Sequence, residues 1–434
     1  HNVKPKLTDA NIRKTRAHDM KSANDQLLTM PDRRYAWVMV FCVFTLSTLS
    51  FGALASVSVF LKPLSLEFGW SRGEISFGYT VISLSSAVFG IFWGVAADKF
   101  GTRWFGLIAA LVMPLTLYLL SEQSSVIHFY GLYFLFGAFG NALISAPLFA
   151  NVAFWFQHKP GLALGITAAG GAFGQGVMPY ICGLILENSG WESAYQIVAM
   201  IYLFIGLPVA LLVRESPLRS PSANLVVKAL RTTNLSEREV ILWISCAIIF
   251  CCLCMAVPIV HLVPLLSDKG FSLEFATSAL MVLMFCGVAG RVLGGKLCDI
   301  IGALPAYLLM SLGQTISVFW FPHLKEPITL YALAAFFGFS YSGVMSCILV
   351  CTRMMVSASF AARAMSITSF FGWSGMGLGG FVGGYFFDLN GNYFWSFAFA
   401  SIMGVINLLI LLSFRNRIKS YQELNTARSV KGYQ

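Results

Sequence analysis

The sequence predicts an all-α integral membrane protein: twelve transmembrane helices in two parallel six-helix repeats, with both termini cytoplasmic. Three observations carry that expectation. The chain is 57% hydrophobic and only 11% charged, whereas a soluble domain carries about 25% charged residues. Its basic residues fall almost wholly on one side of the implied membrane. Its two halves superimpose under a single ungapped shift.

Apolar stretches long enough to cross about 30 Å of hydrocarbon recur along the chain. They are apolar all round, as helices solvated by lipid must be. In order they cover about 35–61, 73–97, 104–121, 127–155, 161–187 and 190–213, then 239–265, 272–298, 304–321, 327–352, 362–387 and 392–414. With both ends in the cytoplasm, 24 of the 29 Lys and Arg lie inside, and only Lys62, Arg72, Lys269 and Lys325 lie outside. That bias fixes the orientation. It also turns the formal charge of +10 into a topological signal, and no nucleic-acid partner is expected.

The organisation follows. Residues 1–34 form a polar cytoplasmic tail without the apolar core of a signal peptide. Residues 35–213 make the first six-helix bundle, 214–238 a cytoplasmic linker with two prolines and five basic residues, 239–414 the second bundle, and 415–434 a cytoplasmic tail. A shift of 201 residues lays "KPLSLEFGWS" (62–71) on "VPLLSDKGFS" (263–272) and "GVAADKFG" (94–101) on "GKLCDIIG" (295–302). It also lays Gly171, Gly174, Gly176, Gly183 and Gly190 on Gly372, Gly375, Gly377, Gly384 and Gly391. Six spans per repeat keep both repeats in one orientation, which puts a ligand site between them near the midplane.

Chemistry is scarce. All ten cysteines fall inside expected spans, and Cys251, Cys252 and Cys254 read as small apolar filler. "GMGLGG" (375–380) matches a dinucleotide fingerprint but has no strand before it, and its glycines serve helix packing. The residues offer no catalytic constellation, cofactor site or metal site; an enzyme is not expected.

Arg291 stands out in "CGVAGRVLGG" (286–295). Centred in a spanning helix, an arginine costs about 2.5–3.5 kcal/mol. It lies eight residues before Asp299, about 12 Å from the cytoplasmic turn, which is too far to snorkel fully. Its repeat mate is Gly90, so the scaffold does not require it. The expectation is a fixed cation pairing with a carboxylate; the competing reading is a structural arginine bonded to backbone carbonyls. Asn141, Ser145, Tyr341 and Trp373 fall at similar depth and are expected cavity lining, although helix-to-helix hydrogen bonds explain each nearly as well. His261, near the outer end of its span, is the candidate outer-cavity polar contact or proton site, with the repeat mates Glu187 and Asp388 as substitutes, and a hydrogen-bonded helix contact explains it equally well.

"GVAADKFGTR" (94–103) resembles the loop between the second and third spans of the major facilitator superfamily, and the second repeat keeps Gly295, Asp299 and Gly302. The resemblance implies a cytoplasmic latch between halves, with Asp98 reaching Ala361–Arg363 and Asp299 reaching Pro160–Leu162; Arg103 and Arg363 belong to the same set. Leu162, Ala163, Gly165, Ala169 and Gly170 resemble the L-A-x-G-x-x-x-A-G signature of monocarboxylate transporters, and "PDRRYAWVMV" (31–40) resembles their entry to the first span. "HLVPLLSDKGFS" (261–272) followed by Arg291 is similar to bacterial oxalate–formate antiporters. Gly287 stands where the eukaryotic carriers have an aspartate, Ala55 where they have a lysine, and residues 364–387 lack the span-11 lysine of oxalate carriers.

The combined expectation is a secondary transporter, monomeric as a functional unit, in the cell (inner or plasma) membrane. Its cargo is a small organic anion, a monocarboxylate by charge balance, with proton coupling. The alternatives are a dicarboxylate or anion antiporter, or a receptor that senses an anion without moving it.

Overall fold

The computed structural model describes residues 33–156, 160–216, 235–356 and 361–431, and these are helical between short turns. In order come α1 (Arg33–Phe68), α2 (Arg72–Phe100), α3 (Arg103–Leu120) and α4 (Val126–Leu135). α4 runs through two π-helical segments, Phe136–Asn141 and Ile144–Leu148, into α5 (Phe149–Trp155). Then follow α6 (Pro160–Leu211), α7 (Glu237–Asp268), α8 (Leu273–Ile301), α9 (Ala303–Trp320), α10 (Pro327–Met355), α11 (Ala361–Asn390) and α12 (Phe394–Lys431).

Among the described residues, nine helices are long and apolar enough to cross a membrane. The difference from the twelve expected spans has physical causes. α6 holds two of them, joined at Gly190, whose φ of 79° breaks the helix. The fourth is divided by π turns around Pro147. The eleventh, α11, is too rich in glycine and serine to register. α12 also stays helical to Lys431, well past the expected boundary at 414, and residues 1–32, 217–234 and 432–434 of the expected tails and linker lie outside the described residues.

The repeat is visible in the backbone. Positive φ occurs at Gly69, Gly101 and Gly190 and again at Gly270, Gly302 and Gly391, each 201 residues on. These are turns where a side chain would clash with its own backbone. Helix starts match too. Ser71 Oγ accepts from Glu74 N–H and the Glu74 carboxylate accepts from Ser71 N–H, closing a capping box; Ser272 Oγ accepts from Phe275 N–H. Packing obeys the same offset. A Cβ on Gly174 would collide with the Thr48 backbone, and one on Gly375 with that of Ile249, the residue 201 places later.

Asparagines tie each half internally. Ser50 Oγ donates to Asn141 Oδ1 (2.7 Å), and Asn141 Nδ2 donates to Ser86 Oγ (3.0 Å), joining α1, the π segment and α2. In the second half Asn407 Nδ2 donates to Ser311 Oγ (2.5 Å). The linker begins on the first half: Arg214 lies over the Tyr35 ring, Asn151 Nδ2 donates to Arg214 O, and Glu215 accepts from Thr102 N–H and Oγ–H at the start of α3.

The α1–α6 contact supplies a test. Gly174→Val should lower the thermal unfolding temperature of detergent-purified protein, because overpacking costs about 1–3 kcal/mol. Gly165→Ala, with nothing within 4 Å of its added carbon, should leave it unchanged.

Candidate functional site

The halves meet at one end of the molecule and part at the other. At the end opposite the described termini, each half offers a carboxylate to a helix start of its partner. Asp388 accepts from Arg72 N–H (2.9 Å) and Gly73 N–H (2.7 Å) at α2. Its repeat mate Glu187 accepts from Glu274 N–H (3.2 Å) at α8. Helix N-termini carry unmet donors and partial positive charge, so both contacts are attractive. Gly384 packs on Ser76 and Arg72, and Gly183 packs on Thr277, again as repeat mates.

One contact at this end has no mate. Arg72 Nη1 and Nη2 donate to the two oxygens of Asp268 (2.5 and 2.9 Å), and Nη1 also donates to Tyr393 Oη (2.8 Å). Its guanidinium sits 3.9 Å from the centre of the Phe387 ring, and Lys62 adds a longer contact to Asp268 (3.4 Å). His261 is fully buried behind this clamp. Its Nε2 lies 2.7 Å from Gly380 O, which can only accept, so Nε2 carries the proton and Nδ1 is free to accept from Tyr393 Oη (3.4 Å).

Toward the terminal end, no side-chain hydrogen bond between the halves is seen among the described residues. Nothing lies within 4 Å of a carbon added at Gly90, Gly94, Gly165 or Gly295, and Phe92, Val95 and Val292 are exposed. Arg103 and Asp299 are exposed there. The expected latch cannot be read: the side chains of Asp98, of Arg363 and of 160–162 lie outside the described residues.

Arg291 lies where the two regimes meet. α8 packs on α10 through Gly287, Gly290 and Gly294, at which an added carbon would strike Ser342, Phe339 and Gly343. Ser346 Oγ donates to the Arg291 carbonyl (2.9 Å), which fixes the register. Arg291 follows Met284 by seven residues, so the two share a helix face about 10 Å apart. Met284 touches Gly176 of the other half. Arg291 Nε is buried without a hydrogen-bond partner, and so are Ser342 Oγ and Tyr79 Oη. An orphaned guanidinium nitrogen in a membrane helix is costly, and a ligand carboxylate would meet it.

The expected lining divides. Tyr341 is buried, and its hydroxyl donates to Met284 Sδ (3.6 Å), above Arg291. Trp373 stacks on Phe51 across the halves, with centroids 5.9 Å apart and planes at 21°. Ser145 is half-buried with no role shown. Asn141 is fully buried and its amide serves the first half internally. His261 belongs to the clamp and not to this group. Sequence reasoning missed Phe51, Tyr79 and the clamp role of Arg72; the one available signal was that Arg72 breaks the repeat, where its mate is Leu273.

Comparison with known proteins now bears on this arrangement. The family model of the Major Facilitator Superfamily matches residues 40–373. The chain belongs to the Major Facilitator Superfamily. This superfamily transporter is 27% identical over 380 residues to the monocarboxylate transporter 13 of Rattus norvegicus, covering 85% of this chain and 86% of that one. It is 23% identical over 359 residues to a riboflavin transporter of Saccharomyces cerevisiae, covering 76% and 68%. Among solved structures, a bacterial homologue of the human lysosomal transporter Spinster, captured in an inward-facing and unoccupied conformation, matches 89% of this chain and 99% of its own. That match has a TM-score of 0.67 at 17% identity and speaks to the fold.

The clamp generates a test in this superfamily member. Asp268→Ala leaves Arg72 only Tyr393 Oη and the Phe387 ring, and losing a charged hydrogen-bond partner costs about 1.5–3 kcal/mol. Cysteines placed at the clamped end, labelled with a membrane-impermeant maleimide, should react faster in that variant. Glu67→Ala, at the repeat mate of Asp268, should not change the rate.

Proposed function

We propose that the protein moves a small organic anion, a monocarboxylate, across a cell membrane by alternating access. In this reading twelve crossings form two six-helix bundles, 35–213 and 239–414, with both termini cytoplasmic, and the monomer is the functional unit. The clamped end then faces outward, and the separated end opens to the cytoplasm.

The observation that carries the reading is Arg291 Nε, buried and unpaired between a closed roof and an open mouth. A guanidinium binds a carboxylate through two parallel hydrogen bonds. One cation balances one carboxylate, whereas a dicarboxylate would bring a second charge into low dielectric at a cost of several kcal/mol. Gly287, one turn earlier, lends no acid to neutralise the arginine. The similarity to a monocarboxylate transporter points the same way.

Arg291→Ala should fold and insert, since Gly90 occupies the equivalent place in the first half. Its affinity for carboxylates should fall by about 2–5 kcal/mol. Arg291→Lys should recover part of that, keeping charge but not the fork. Calorimetry on the purified variants reads this directly; wild-type affinity in folded Arg291→Ala would refute the assignment.

Proton coupling is part of the proposal, with His261 as its site. A proton added at Nδ1 removes the acceptor for Tyr393 Oη and places positive charge beside Arg72, loosening the clamp around Asp268 and Asp388. His261→Gln should abolish the rise of proteoliposome uptake on external acidification while counterflow exchange persists. Uptake that still rises normally would move the proton elsewhere, to Glu187 or Asp388.

A further inference from the structure

We propose that the cargo is an aryl monocarboxylate: an aromatic ring with a carboxylate at one end and a neutral hydrogen-bonding group at the other. The proposal rests on the Arg291 reading and specifies what lies beyond the carboxylate. Three features of the roof carry it.

The first is the ring pair. Phe51 of α1 and Trp373 of α11 stack face to face across the two halves, and both rings remain part-exposed. They sit one turn of α11 below Gly377, which closes on Thr80 and Ser83. Flat aromatic surface at the inner limit of a closed seam suits a flat aromatic body, which gains from stacking beyond its burial. α11 places an uncharged ring at the inner limit of the seam, so the far end of the cargo is matched by stacking and not by charge.

The second feature is a set of poorly satisfied hydroxyls. Tyr79 Oη and Ser342 Oγ are buried without partners. Tyr341 Oη has only a thioether, a weak acceptor. The Tyr79 ring packs on Gly380 of the other half, which places this tyrosine in the seam between the bundles. Buried polar groups are ordinarily paired, and these lack a partner of their own.

The third is spacing. Tyr341 reaches the level of Met284, and Arg291 is seven residues further along the same face, about 10 Å down the axis. The arginine side chain leans back toward the helix start and shortens that interval by a few ångströms. An acid of two or three carbons spans only about 4 Å at roughly 1.5 Å per bond. A ring with substituents at opposite ends covers the remainder.

Calorimetry with acetate, lactate, phenylacetate, 4-hydroxyphenylacetate and riboflavin tests this on the full chain in detergent. The two aryl acids should bind at least about tenfold more tightly than acetate or lactate. The phenolic acid should gain a further factor of about five, lost in Tyr79→Phe. Trp373→Ala should reduce the aryl preference, read as the ratio of phenylacetate to acetate affinity, to about threefold or less, and Trp373→Phe should keep it. If Trp373→Ala fails to fold, Phe51→Leu reads the same wall. Equal affinity for acetate and phenylacetate, still dependent on Arg291, would overturn the aryl proposal and leave the carboxylate reading standing. Aryl binding that survives Arg291→Ala, or riboflavin binding tighter than any acid, would overturn both.

Discussion

The first N–H groups of a helix have no partner within it, and at one end of this molecule two helix starts find theirs in the opposite half. Asp388 serves α2 and Glu187 serves α8. Everything else about the closed seam follows from that exchange. Glycines beside each cap let the backbones approach, so Gly384 and Gly183 meet a serine and a threonine where larger residues would hold the halves apart. Arg72 then adds a two-pronged bond to Asp268 and rests on Phe387, strengthening a seam that already has its geometry. At the other end no comparable contact joins the halves among the described residues.

Much of the architecture was legible in the sequence because lipid narrows the choice to helices whose outer faces are apolar. The 201-residue shift carried further than topology. The glycines it pairs recur in the structure as positive-φ turns and as close helix contacts, since both demands act on the missing side chain itself. What escaped was the winding of particular helices. The π turns around Asn141 and Pro147 and the fusion of two spans at Gly190 depend on packing that hydropathy does not encode.

The site was legible in one residue and obscure in the rest. Arg291 declares itself because charge in an apolar run is rare and costly. Polar but neutral residues do not. Asn141 and Tyr341 fall at similar depth in the sequence reading, yet the first is consumed by Ser50 and Ser86 while the second reaches α8. Arg72 was hidden by its position: beside a turn it reads as a surface cation marking topology. Only the fold brings it to Asp268, nearly two hundred residues away. Aromatic residues such as Phe51 and Tyr79 are too common in spanning helices to be noticed before their neighbours are known.

The seam is symmetric but the charge is not. Gly90 answers Arg291 across the repeat, and Ser342 and Tyr341 share the arginine's half. If Arg291 seats the proposed anion, the strongest partner of that anion stays in one bundle throughout the cycle, and the cargo need not be passed from one half to the other. On that reading the second bundle is the seat, and the first is the door that swings from one side of it to the other. Such a division asks the first bundle for its caps and for neutral surface such as Phe51 and Tyr79. Differences in the charge of the cargo among related carriers would then concentrate on the seat.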